Sequence, residues 1–156
     1  MLILGIDPGI AITGYGILDC SGENIKIVAS GSIQTSKNKT TQERLAELYA
    51  DIQEIIKTYK PDAAAIEQLF YFKNLKTVIP VAQARGVIIM ALAQNGIELA
   101  EYTPLQVKQT ITGFGRATKD EVKQMTSIAL NHPMPKLDDT VDAIAIGLCH
   151  YRYLKI

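Results

Sequence analysis

A chain of 156 residues, 47% of them hydrophobic, can enclose one core, and a single domain spanning 1–156 is expected. Its 16 basic and 16 acidic residues cancel, so net charge singles out no partner; Cys20 and Cys149, far apart and without a Cys/His cluster, argue against a zinc site or a disulfide framework. "MLILGI" runs straight into Asp7 with no basic leader, and no apolar run reads as long enough to span a bilayer, so a cytoplasmic location is expected.

Residues 2 to 7 read as a buried strand ended by Asp7. "GYGILDC" (14–20) and "IKIVASGSIQT" (25–35) are rich in β-formers, and the intervening "SGEN" makes them a hairpin. From Thr41 the period changes: Leu45, Leu48, Tyr49, Ile52, Ile55, Ile56 and Tyr59 recur at helical spacing, up to a stop at "KPD". "AAAIE" (63–67) is a short strand closed by a second acid, Glu67. "VAQARGVIIMALAQNG" (81–96) reads as a largely apolar helix with Gly96 capping its end and Pro80 in its first turn or at a kink. "IELAEYT" (97–103) is a fifth strand, two short helices near 104–111 and 118–130 flank the "GFGRAT" loop, and a last helix starts near Asp138. This order predicts an α/β domain with a mixed sheet.

Charge is unevenly spread. No acid lies between Glu67 and Glu98, where Lys73, Lys76 and Arg85 fall, nor between Glu101 and Asp120, where Lys108, Arg116 and Lys119 fall. Two positive segments in a neutral chain suit either a solvated surface or one local patch for a polyanion.

Asp7 alone admits three readings: a turn former before Pro8 and Gly9, a phosphate-loop residue, or a metal ligand. Glu67 closes a second buried strand, and Asp139 and Asp142, three apart, share a helix face. Asp138 or Asp139 could instead be the N-cap of that helix. Clustered carboxylates repel unless a cation intervenes, and an all-oxygen donor set suits Mg²⁺ or Mn²⁺ and metal-assisted phosphoryl chemistry.

"GIDPG…TGYG", "IEQLFYFKN", "QARGV", "QVKQTITGFGRATK" and "DDTVDAIAIGLCH", in this order, resemble the RuvC family of bacterial Holliday junction resolvases, from residue 3 to about 150. The resemblance implies a ribonuclease H-like fold, a mixed five-stranded sheet flanked by helices. It implies a metal-dependent endonuclease that resolves four-way DNA junctions by paired nicks in recombination and repair, leaving 5′-phosphate and 3′-hydroxyl ends. Asp7, Glu67, Asp139 and Asp142 then look like the catalytic acids holding two Mg²⁺ ions, with Mn²⁺ as a substitute; motif register favours Asp139 over Asp138. Lys119 looks like a catalytic lysine at the scissile phosphate, Lys108 like one that positions the backbone, and Phe70 like an aromatic that stacks on unpaired bases. Lys73, Lys76 and Arg116 complete the expected DNA-binding set. A homodimer through the helix around 81–94, and a branch-migration complex of RuvA and RuvB as partner, are implied as well. The alternative is a related ribonuclease H-like nuclease acting on another branched DNA or on RNA.

Overall fold

The computed structural model describes residues 1–69 and 75–156. Five strands form one sheet in the order β3-β2-β1-β4-β5: β1 (Leu2–Asp7), β2 (Ile12–Asp19), β3 (Lys26–Gln34), β4 (Ala63–Glu67) and β5 (Glu98–Tyr102). The first three run antiparallel as a meander, while β4 and β5 add in parallel beside β1. Among the described residues, five helices connect and cover them: α1 (Thr41–Tyr59), α2 (Leu75–Gln94), α3 (Pro104–Thr112), α4 (Lys119–Leu130) and α5 (Asp138–Leu154).

The period-2 alternation of the strands sorts the core into two layers. Leu4, Ile6, Ala64 and Ile66 pack beneath α1 and α2 with Leu48, Ile52, Ile88 and Leu92. Ile3, Leu18 and Ala65 face the other way, toward Val107, Ile144 and Leu148 of α3 and α5. Gly5 and Asp7 follow Ile3 on that second face, and Glu67 follows Ala65. The two acids therefore emerge on the same side at the same ends of two paired parallel strands, one register step beyond the Ile6–Ile66 pair.

Helix α5 is buried almost all round between Thr140 and His150, because the sheet lies on one side and α3 and α4 on the other. Its seat on the sheet is cut by glycine. A Cβ on Gly5 would lie 2.0 Å from the Ala143 carbonyl oxygen, and one on Gly14 would lie 2.0 Å from that of Asp139. Gly14 is the cross-strand partner of Asp7, so the close approach that glycine permits brings the first turn of α5 over Asp7.

Three helices start with reciprocal capping boxes: Thr40 with Glu43, Thr103 with Gln106, and Thr118 with Glu121. Helix α5 does not. Its N-cap is Leu137, without a side-chain cap, which corrects the N-cap reading of Asp138 and Asp139; both acids lie within the first turn.

Two other expectations need correction. Helix α2 begins at Leu75 rather than 81, with Pro80 inside it. That extension makes Lys76–Gln94 long and apolar enough to cross a membrane by length and composition, against the reading that no run was. Here one face of the helix, with Ala84, Ile88, Ala91 and Leu92, belongs to the core, and a guanidinium at Arg85 sits mid-helix. Gly96, with φ of 66°, ends α2 as expected.

Candidate active site

Asp7, Glu67 and Asp142 line one cavity of about 260 Å³ together with Lys108, Lys119, Val107 and Ile146. Asp7 and Glu67 also line an adjoining cavity of about 150 Å³ with Pro8, Val81 and Arg85. Strands β1 and β4 bring up the first two acids, α5 supplies the third, and α3 and α4 supply the two lysines.

The electrostatics of this corner are strained by design of its neighbours. Burial, then the charges of Asp142, Glu67 and Asp139, push the Asp7 carboxyl up to about 8, with Lys119 pulling the other way. Burial also raises Asp142, opposed by Lys119. Lys119 sits at the first helical position of α4, held there by the Thr118–Glu121 capping box. Its Nζ donates to Asp142 Oδ2 at 3.2 Å, and that carboxylate raises the lysine above its ordinary value. A cation at a helix N-terminus opposes the dipole; here the acids offset that cost.

All the donors are oxygen, which fits a hard divalent cation in chemistry. Among the described residues, no three Asp, Glu, His or Cys side chains stand close enough together to hold an ion in this conformation. A cation bound among these carboxylates would offset their mutual repulsion.

Comparisons with known proteins give this geometry its context. The family model described as "Crossover junction endodeoxyribonuclease RuvC" matches residues 3–150. The chain belongs to the RuvC family. The RuvC of Alkaliphilus metalliredigens is 50% identical over 151 residues, covering 96% of this chain and 92% of its own length. That of Fusobacterium nucleatum is 52% identical over 155 residues, covering 99% and 82%. A solved structure of Thermus thermophilus RuvC in complex with a Holliday junction substrate superposes with a TM-score of 0.93 at 30% identity, covering 99% of this chain and 95% of that one. The fold is thus the ribonuclease H-like one of RuvC, and nucleases of this family are metal-dependent.

Within this RuvC-family fold, the expected site residues separate into groups. Asp7, Glu67, Asp142, Lys108 and Lys119 meet at one cavity. Asp139 does not line it but is half-buried and acts on Asp7, whereas Asp138 is exposed and acts on Lys119 and Asp142. That difference supports Asp139 as the choice between the two. Arg116, in the α3–α4 loop, and Lys76, on α2, are exposed and line neither cavity. Phe70 and Lys73 lie outside the described residues.

Sequence reasoning missed two things here. Arg85 was counted only among the charges of an acid-free segment, as solvated surface or polyanion patch, although its side chain is 11% exposed and lines the smaller cavity. Phe114, in the same loop as Arg116, is 59% exposed and was not singled out; an aromatic between two glycines was the available signal.

Proposed function

We propose that this chain resolves four-way DNA junctions by paired, metal-dependent nicks, in recombination and repair. The observation that carries the reading is the convergence of Asp7, Glu67 and Asp142 with Lys108 and Lys119 on one cavity of a RuvC-family fold. Asp7, Glu67, Asp139 and Asp142 would hold two Mg²⁺ ions, with Mn²⁺ as a substitute. Bound there, the ions supply an activated water and neutralise charge on the leaving oxygen.

The chain's own residues do the rest. Asp7, pushed up to about 8 by burial and then by the other acids, would be a ligand whose ionised form a bound cation favours. Lys119, freed from Asp142, turns to the non-bridging oxygens of the scissile phosphate, where charge develops. Lys108, across the cavity, binds the backbone and sets its register. The water oxygen bonds to phosphorus, the bond to the 3′ oxygen breaks, and that oxygen takes up a proton. A 5′-phosphate and a 3′-hydroxyl remain. Arg116, Lys76 and Lys73 would bind flanking phosphates, and Phe70 would stack on an unpaired base.

A two-fold junction calls for a two-fold enzyme. Helix α2 supports a homodimer: away from its core face it exposes Ile79 at 67% and Met90 at 57%, with Ala82, Gly86 and Ala93 at helical spacing between and beyond them. We place the protein in the cytoplasm, working with the RuvA and RuvB branch-migration complex.

The test is a synthetic mobile four-way junction, with three-way, linear and RNA-containing substrates alongside, each with and without Mg²⁺. Paired nicks mapped to opposite strands of the four-way junction, in Mg²⁺ only, are expected. Preference for another branched DNA or for RNA would replace this reading with that of a related nuclease.

A further inference from the structure

Arg85 approaches the acid cluster from behind. It lies on α2, which covers the sheet face opposite the one toward which the Asp7 and Glu67 side chains point. Its Nη2 donates to the Glu101 carboxylate on β5 at 2.5 Å, and its Nη1 donates to the main-chain carbonyl of Glu67 at 3.3 Å. The same residue therefore presents a carboxylate to the candidate metal site and its backbone oxygen to a guanidinium on the reverse face.

That placement matters because β4 is short and Glu67 is its last residue. Among the described residues, Gln68 N–H donates to the Tyr102 carbonyl at 2.8 Å and ties the chain to β5 beyond it. A strand end is the least constrained part of a ladder, and any wander of the Glu67 backbone carries its carboxylate along. Ligand carboxylates tolerate little such displacement. As an isolated ion pair, Arg85–Glu101 would add little to stability, since Glu101 is 42% exposed. Its geometry is that of a tether: one planar fork spans a carboxylate on β5 and a carbonyl on β4, which a lysine ammonium does not reproduce.

We propose that Arg85 is a positioning residue for Glu67, anchored by Glu101, and that it sets the metal affinity of the site without touching metal or DNA. The inference rests on the metal-dependent reading above. It also gives α2 two roles: its core-facing side holds the site, while its exposed side is the one proposed for the second subunit.

The experiment measures Mn²⁺ binding directly, by electron paramagnetic resonance of the free ion, on wild type, Arg85→Met, Arg85→Lys, Glu101→Gln and Asp7→Asn. Arg85→Met and Arg85→Lys should each bind Mn²⁺ about tenfold more weakly, as expected when support for a ligand is lost, with Glu101→Gln showing a smaller loss. Four-way junction affinity in EDTA should stay at the wild-type level. Metal-free melting curves establish that each variant is folded. If Arg85→Met does not fold, Arg85→Lys and Glu101→Gln decide the matter. Wild-type Mn²⁺ affinity in folded Arg85 variants, with only melting temperature lowered, would reduce Arg85 to a structural contact and overturn the proposal. Should Asp7→Asn lose Mn²⁺ while the Arg85 variants keep it, the positioning role alone fails. A wild type that binds no Mn²⁺ would sink both this proposal and the metal centre it rests on.

Discussion

The two ends of the central strands treat the same chemical group in opposite ways. At one end, Asp62 Oδ2 accepts the backbone N–H of Leu2 at 2.7 Å, and Asp19 accepts both the hydroxyl and the N–H of Ser21. Those bonds hold Asp19 below the ordinary carboxylate range. At the other end, burial and then the charges of three more acids push Asp7 up to about 8. The acids that serve the fold are given donors, whereas the acids proposed for chemistry are given one another. A sheet end that gathers like charges costs stability, and that cost supports the proposal that chemistry takes place there.

The sharpest way to break this comparison is Asp7→Asn. Cleavage of a four-way junction should fall by about 10³-fold or more, as when a key electrostatic group is lost, while binding of the junction persists. A gel-shift run beside a cleavage assay checks both halves. Normal resolution by this variant would remove Asp7 from the site.

Next in size is stability against pH. Folded Asp7 holds its proton far more tightly than its ordinary value of 3.8 allows. The fold therefore keeps this contribution fully below 3.8 and loses it as pH rises toward about 8. The loss is about 6 kcal/mol at the outside, at about 1.4 kcal/mol per tenfold of proton affinity. Metal-free urea denaturation should show wild type weakening across that window and Asp7→Asn weakening much less. Parallel curves for the two would mean that Asp7 is not so confined.

Lys119→Ala should reduce the cleavage rate by about 10²-fold, the lower range for loss of one charge-stabilising group. It should also shift the pH profile upward, because the lysine opposes the rise of both Asp7 and Asp142. Single-turnover rates across pH measure this. An unchanged profile would disconnect Lys119 from the acids.

The smallest effect belongs to the opposite end of the sheet. Asp62→Ala removes one acceptor from Leu2 N–H and should cost about 1 kcal/mol of stability, with cleavage per folded molecule unchanged. A large catalytic loss there would erase the distinction between the two ends.

Much of this was legible in the chain. The short buried runs of β1 and β4, the helical spacing from Leu45 to Tyr59, and the order of motifs from "GIDPG" to "DDTVDAIAIGLCH" are local or sequential signals, and they led to five strands, the helices and the four candidate acids. Pro80 misled, because a proline within the early turns of a packed helix is tolerated when core contacts such as Ala84 and Ile88 hold the rest. The capping of α5 misled too: with Thr140 to His150 packed almost all round, that helix is held by its core contacts without a side-chain cap.

By itself, then, the sequence determined element types, family and which acids are candidates, because periodicity, turn residues and motif order are carried by neighbours along the chain. Only the tertiary structure decided that Asp7 and Glu67 share one sheet face, that Gly14 admits the first turn of α5 above them, and that Arg85 grips Glu67 from the opposite side. Those relations depend on strand register and on the closest approach between backbones. Both are set by residues far apart in the chain, and neither leaves a local trace.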